Sequence, residues 1–178
     1  MNFERGDLGS SAALDDFETR AALTVHQDLR LWLRMMAIHK LINNEARRRL
    51  RESFRMSLSR FDLMAQLDAH KNGLRMGEVS NRLMVTTGNI TGLTDELEAD
   101  GLVERVADPR SRRALLVRLT PKGRKVFRAA AKANERWIAE FFSVLSAKDK
   151  KMMFDLFGTQ KAFILTCMQR AARTPSGK

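Results

Sequence analysis

The chain of 178 residues holds one cysteine, Cys167, which excludes an internal disulfide framework. No apolar run is long enough to span a bilayer, and the first twenty residues carry Asp15, Asp16 and Glu18 in place of a secretory pattern. These absences predict a soluble, cytoplasmic protein with no membrane partner. The three histidines, His26, His39 and His70, are widely separated. There is no nucleophile elbow, phosphate loop or cluster with metal-ligand spacing. The expectation is therefore no catalytic residue, no metal, no cofactor and no enzyme. Proline and glycine are missing altogether between Asp16 and Leu50, so little there would stop a long helix.

What is present is positive charge, unevenly placed. The net charge is +11, yet residues 1–28 hold six acids and two bases, a net of −4. Residues 29–178 carry 15 acids and 30 bases, a net of +15. A basic body behind an acidic leader favours a polyanionic partner.

Within that body, residues 75–120 read as a compact unit. Val79 and Leu83 share one face of a short helix from about Gly77 to Leu83. Thr86 or Thr87 then caps a second helix through its hydroxyl, and Ile90, Leu93 and Leu97 form its apolar stripe. The opposite face carries Gly88 and Gly92 beside Asn89, Thr91 and Asp95. Two helical glycines cost roughly 1 kcal/mol each relative to alanine. Close approach of another body to the helix backbone would offset that cost, and a DNA major groove admits a whole helix. Gly101 stops the helix. A hairpin follows: Leu102 to Val106, a turn opened by Asp108-Pro109, and a return strand Ala114 to Leu119 with Leu115, Val117 and Leu119 alternating. Its tip is read as Arg110-Ser111-Arg112-Arg113, three arginines in four residues. A helix-turn-helix with a basic hairpin is a winged helix, so the fold class is mainly α with a small β-hairpin.

The flanks are helical. Trp32, Met36, His39, Asn43, Ala46 and Leu50 fall on one narrow stripe, flanked on one side by Lys40, Arg47 and Arg51. His39 and Asn43 are either hydrogen-bonded polar groups in an interface or polar handles in a ligand pocket. The basic run from Arg47 to Arg55 is either a solvated helix end or a cradle for phosphates. Ser59 is expected to cap a short helix that buries Leu63, Met64 and Leu67, and Lys71-Asn72-Gly73 is a turn. Thr120-Pro121 opens the next helix, with Val126, Ala130, Trp137, Phe141 and Leu145 on its stripe. Ser146 starts a last helix in which Met153, Leu156, Phe157, Ile164 and Cys167 are expected mostly inward. The organisation is thus a flexible arm (1–15), N-terminal helices (16–58), the winged helix-turn-helix lobe (59–120), C-terminal helices (121–173) and a tail (174–178). One chain cannot cover the stripes of both long helical regions, which implies pairing with a second copy.

The run from Asp108 through Arg110 to Leu119-Thr120-Pro121-Lys122-Gly123, and the phrase Leu97-Glu98-Ala99-Asp100-Gly101-Leu102-Val103, resemble the MarR family of bacterial transcriptional regulators. The resemblance implies a homodimer through the N- and C-terminal helices, with two recognition helices entering successive major grooves of an inverted-repeat operator. The amides of Thr86, Thr87, Gly88 and Asn89 would meet a phosphate, and Asn89 and Thr91, beside Gly92, would touch base edges. Arg112 or Arg113 would enter the minor groove, while Asp108 and Arg110 brace the turn. Many members carry arginines where this chain has Gly92 and Glu96, which shifts base reading toward shape and the wing. Residues 30–67 are similar to the branch that regulates aromatic-acid catabolism in response to aryl-CoA thioesters. That implies a ligand-relieved repressor in which Trp32, Met36, His39, Phe61 and Met64 hold an aromatic acyl group, with Asn43 as a polar handle in the same ligand site. Lys40, Arg47 and Arg51 would then hold the CoA phosphates. The alternative is a regulator of stress or efflux genes that answers to free phenolic compounds or to oxidation of Cys167.

Overall fold

The structure is a computed structural model that describes residues 27–83 and 85–173. The expected flexible arm, the start of the long N-terminal helix (16–26), Met84 and the tail 174–178 lie outside the described residues. The described residues divide into two compact units, one up to residue 135 and one from residue 136 on.

The first unit opens with α1 (Gln27–Phe54), the long helix that the missing prolines and glycines allow. Its C-terminal end is embedded, with Ala46 and Leu50 buried. Its N-terminal part is bare: Trp32 is 53% and Met36 48% exposed, alongside Leu29, Leu31, Ile38 and Leu41. Glu45 accepts from the Arg48 guanidinium at 2.5 and 2.8 Å and from Arg49 at 2.7 Å. Those bonds, Arg48 first, lower its pKa from 4.5 to about 2. A depressed carboxyl contributes stability above its unfolded pKa and loses it as pH falls through the folded one. The melting temperature of Glu45→Gln should therefore fall less than that of the wild type between pH 4.5 and 2; parallel curves would remove this contribution.

Arg55 closes α1 in the left-handed region at φ 50, and the chain turns to α2 (Leu58–Ala69). The cap is Ser57 and not Ser59, because the chain leaves the turn extended at Ser57 (φ −74, ψ 155). There the Ser57 hydroxyl accepts from the Arg60 amide at 3.2 Å. Gly73, at φ 90, makes the predicted turn into a short strand β1 (Leu74–Arg75). Helix α3 (Met76–Leu83) and helix α4 (Thr87–Ala99) follow. Strands β2 (Val103–Asp108) and β3 (Ser111–Leu119) then form the hairpin. The sheet has three antiparallel strands in the order β1-β3-β2, one more than the hairpin read from sequence. Leu63, Met64, Leu67, Val79, Ile90, Leu97, Val117 and Leu119 fill the core beneath it.

The end of α4 is stapled by Gly101 at φ 68. Leu102 donates to the Leu97 carbonyl at 2.8 Å and Gly101 to that of Glu98 at 2.9 Å. Helix α5 (Pro121–Phe141) starts as expected: the Thr120 hydroxyl accepts from the Gly123 amide at 2.9 Å and donates to the Gly101 carbonyl at 2.8 Å. Phe127 of α5 meets Phe61 of α2, ring centroids 5.4 Å apart.

In the second unit α6 (Ala147–Arg173) is capped at Ser146, whose hydroxyl accepts from the Asp149 amide at 3.2 Å. The inward stripe expected on α6 is not inward. Leu156, Phe157, Ile164 and Cys167 are exposed, and Phe154 is 79% exposed. Besides α6, the described residues of the unit are only the last ones of α5 (136–141) and the turn after them, too little apolar surface to cover a helix of 27 residues. No described helix is long and apolar enough to cross a membrane.

Candidate nucleic-acid interface

Helix α4 is fixed from behind. Ile90, Thr94 and Leu97 have no exposure, and the Thr94 hydroxyl is satisfied by the Ile90 carbonyl at 2.7 Å. The turn before it is tied by Ser80, whose hydroxyl donates to the Val85 carbonyl at 2.6 Å. Asn89, Thr91 and Gly92 stand exposed on the other side, as the periodicity requires. Thr86 is the N-cap, but its hydroxyl makes no cap hydrogen bond. The hydroxyl cap expected of Thr86 is thus absent, and the first-turn amides keep their donors for another acceptor. A Cβ added at Gly88 or Gly92 would meet nothing within 4 Å. Packing within the chain therefore does not demand either glycine.

The exposed acids that follow are not free to repel a polyanion equally. Arg105 on β2 pairs with Asp95 and Glu98 together, and its backbone amide donates to Glu98 at 3.2 Å. Those carboxylates raise the Arg105 pKa, Asp95 foremost. One guanidinium thereby offsets part of the charge of Asp95 and Glu98 and anchors the C-terminal half of α4 to the hairpin, while Glu96 has no such partner.

The hairpin differs from expectation at its end. The turn is Pro109-Arg110 alone, and Ser111, Arg112 and Arg113 already belong to β3. The register slips between Ala107 (opposite Leu115) and Asp108 (opposite Ser111), so the backbone of residues 112–114 forms a bulge beside the turn. A bulge increases the local twist of the strand that carries it. Beyond it Leu115 is exposed, contrary to the simple alternation, while Val117 and Leu119 are buried. Asp108 holds this end in place. One carboxylate oxygen accepts from the Arg110 amide at 2.8 Å; the other accepts from Arg75 Nε and Nη2 at 2.8 and 2.5 Å. The same contacts, the Arg110 amide first, hold the Asp108 carboxyl below its usual pKa. Asp108 thus braces the turn as predicted, through the Arg110 backbone, and its ion-pair partner is Arg75.

Sequence comparison matches the MarR family model to residues 56–114, from the turn before α2 into the first residues of β3. YdgJ of Bacillus subtilis, an uncharacterised helix-turn-helix regulator, is 26% identical over 106 residues, 60% of this chain and 64% of its own length. The transcriptional activatory protein BadR of Rhodopseudomonas palustris is 42% identical over 65 residues, 36% of this chain and 37% of BadR. The chain thus spans less than two thirds of either sequence relative. A MarR family transcriptional regulator from Silicibacter pomeroyi of known structure is 33% identical. Its TM-score is 0.63, and the match covers 76% of this chain and 94% of that one. The chain belongs to the MarR family.

Within this MarR family member, the structure brings the expected residues together unevenly. Thr86 to Gly92 share one helix start, and Arg110 stands exposed at the wing turn. Arg75 and Arg105 are not legible in the sequence as site residues: Arg75 lies 33 positions from Asp108, and neither carries a local motif. The ligand residues separate. Trp32, Met36 and His39 lie exposed on α1, with Lys40, Arg47 and Arg51 exposed on the same helix. His39 and Asn43 are bonded to each other at 2.8 Å. Phe61 and Met64 do not join them, because both are buried in the lobe core, Phe61 against Phe127.

Proposed function

We propose that the protein is a cytoplasmic, sequence-specific DNA-binding transcriptional regulator that acts as a homodimer on an inverted-repeat operator. The observation that carries this reading is the pairing, in one lobe, of an uncapped α4 start bearing exposed Asn89 and Thr91 with a braced, arginine-bearing wing. Helix α4 would lie in the major groove and the wing, with Arg112 or Arg113, in the adjacent minor groove. The exposed apolar residues of α1 and α6 are what a second copy would cover. We further propose relief of repression by an aromatic acid or its CoA thioester, held by the α1 residues Trp32, Met36 and His39 and by the basic line Lys40, Arg47 and Arg51. BadR is named as an activatory protein, so activation is the competing sign of regulation. The exposure of Cys167 supports thiol oxidation as a second route of control.

Binding to duplex DNA from upstream of the protein's own gene tests the reading. The logarithm of the affinity should fall linearly with the logarithm of salt concentration, by about 0.9 in slope per neutralised phosphate. Asn89→Ala should bring operator and scrambled DNA closer in affinity by about tenfold, the scale of one base contact. Arg112→Ala should weaken binding to both. Equal affinity of the wild type for every duplex would overturn the assignment.

A further inference from the structure

Helix α4 has a second neighbour besides the open side of the lobe. A cavity of about 440 Å³ lies along its flank, with Leu83, Val85 and Leu93 as an apolar wall and the carboxylates of Asp62 (α2) and Glu96 (α4) on its lining. Elsewhere in the lobe acids are matched. Asp95 and Glu98 lie on Arg105, Asp100 on Arg60, Glu104 on Arg118 and Asp108 on Arg75. Asp68 faces Arg124 at 3.6 Å, and Glu78 accepts from the Arg75 amide at 2.7 Å. Among the described residues of the lobe, Asp62 and Glu96 are the two carboxylates with no hydrogen bond and no ion pair, and they line the same hollow. Asp62 is half-buried and Glu96 exposed, so both carboxylates can be reached from the groove.

We propose that this groove is a binding site for a small organic cation, an ammonium or amidinium carried on an apolar body. The two carboxylates match the charge, and the aliphatic wall matches the body. A hydrated metal ion fits less well, because it needs more oxygen ligands and gains nothing from that wall. An aromatic carboxylate, the class proposed above for the α1 residues, would be repelled here, so the two sites select opposite charges. Burial alone pushes the Asp62 carboxyl above its usual pKa, since no cation faces it. A bound ammonium would supply that missing partner. The glycines acquire a reason as well: Gly88 and Gly92 line the cavity with open space at their Cβ positions, so larger residues would narrow it. Because Asn89 and Gly92 border both this groove and the proposed base-reading side, an occupant would also weaken DNA binding. That second step rests on the function proposed above; the binding itself does not.

The full-length protein should be titrated calorimetrically, without DNA, with phenethylammonium, with 3-phenylpropionate and with magnesium chloride. Saturable binding of phenethylammonium alone is expected, weakened about tenfold or more in both Asp62→Asn and Glu96→Gln, the effect expected for removing a paired charge. The melting temperatures of the unliganded variants verify their folding. No binding of the ammonium, equal binding by the variants, or binding of magnesium alone would overturn the site. Ammonium binding at the site with unchanged affinity for DNA would overturn its role in DNA release, while a failure to bind any DNA would strike the proposed function and leave the site standing.

Discussion

Gly123→Ala should be the most damaging single substitution in the lobe. A Cβ at this position would lie 1.8 Å from the Leu102 carbonyl oxygen and 2.8 Å from its carbon, both backbone atoms that cannot rotate away. The glycine sits in the first turn of α5, where its amide is already held by the Thr120 hydroxyl at 2.9 Å. The same Leu102 carbonyl accepts from the Thr120 amide at 3.0 Å. An alanine must therefore push the start of α5 away from the start of β2 and break the cap that aligns them. Overpacking of this kind costs about 3 kcal/mol, and for a chain of this size that lowers the melting temperature by roughly 6–12 °C. Thermal melting followed by circular dichroism measures it. An unchanged melting temperature would mean that α5 and β2 tolerate separation, and the tight junction would lose its significance. Gly73→Ala makes a milder comparison, since its Cβ would stand 2.9 Å from the Val117 carbonyl on a turn at φ 90.

The glycine contrast explains much of what the sequence discloses and what it hides. Gly101 and Gly73 are legible because a stop after a periodic helix and a turn between hydrophobic runs are local patterns, and both adopt positive φ. Gly123 is visible only as part of the Thr-Pro-Lys-Gly phrase, since its neighbour is a backbone 21 residues earlier. Gly88 and Gly92 read as places where a foreign body comes close; within the chain nothing packs on either. The helices of the lobe are similarly plain, because Val79, Ile90, Leu97 and Val117 bury at their proper periods. The third strand is not: two residues are too few for alternation to register, and Leu74 and Arg75 pair with Val117 and Leu116 across more than forty positions. The wing tip shifts because a bulge places 112–114 on the strand, and a register slip leaves no mark in composition. Phe61 and Met64 illustrate the remaining limit. Periodicity identifies a buried face, but it does not say whether a core or a ligand covers it, and here Phe127 covers Phe61.

Asp108→Ala should separate DNA binding from folding. The carboxylate is buried, yet its role is directional: it joins β1 to the wing through Arg75 and sets the Pro109-Arg110 turn through the Arg110 amide. Without it the lobe core stays filled, since Leu63, Met64, Ile90 and Leu97 lie elsewhere. The wing, however, loses its tie to the segment that opens α3. Operator affinity at fixed salt should drop by about tenfold or more, the scale of one groove contact, and the salt slope should fall by about one for each phosphate the wing no longer reaches. Arg75→Ala should reproduce most of this drop, and the double variant should bind little more weakly than either single one, because both act through one ion pair. Acid should mimic the substitution: the carboxyl's folded pKa is depressed, so the brace is complete above the ordinary Asp range and fails as pH drops through the lowered value. Fluorescence anisotropy on labelled operator, beside a thermal melt of each variant, reads both quantities. Full affinity in Asp108→Ala would show that the wing stands without its brace or never touches the duplex. Additive effects in the double variant would show that Arg75 contacts DNA in its own right.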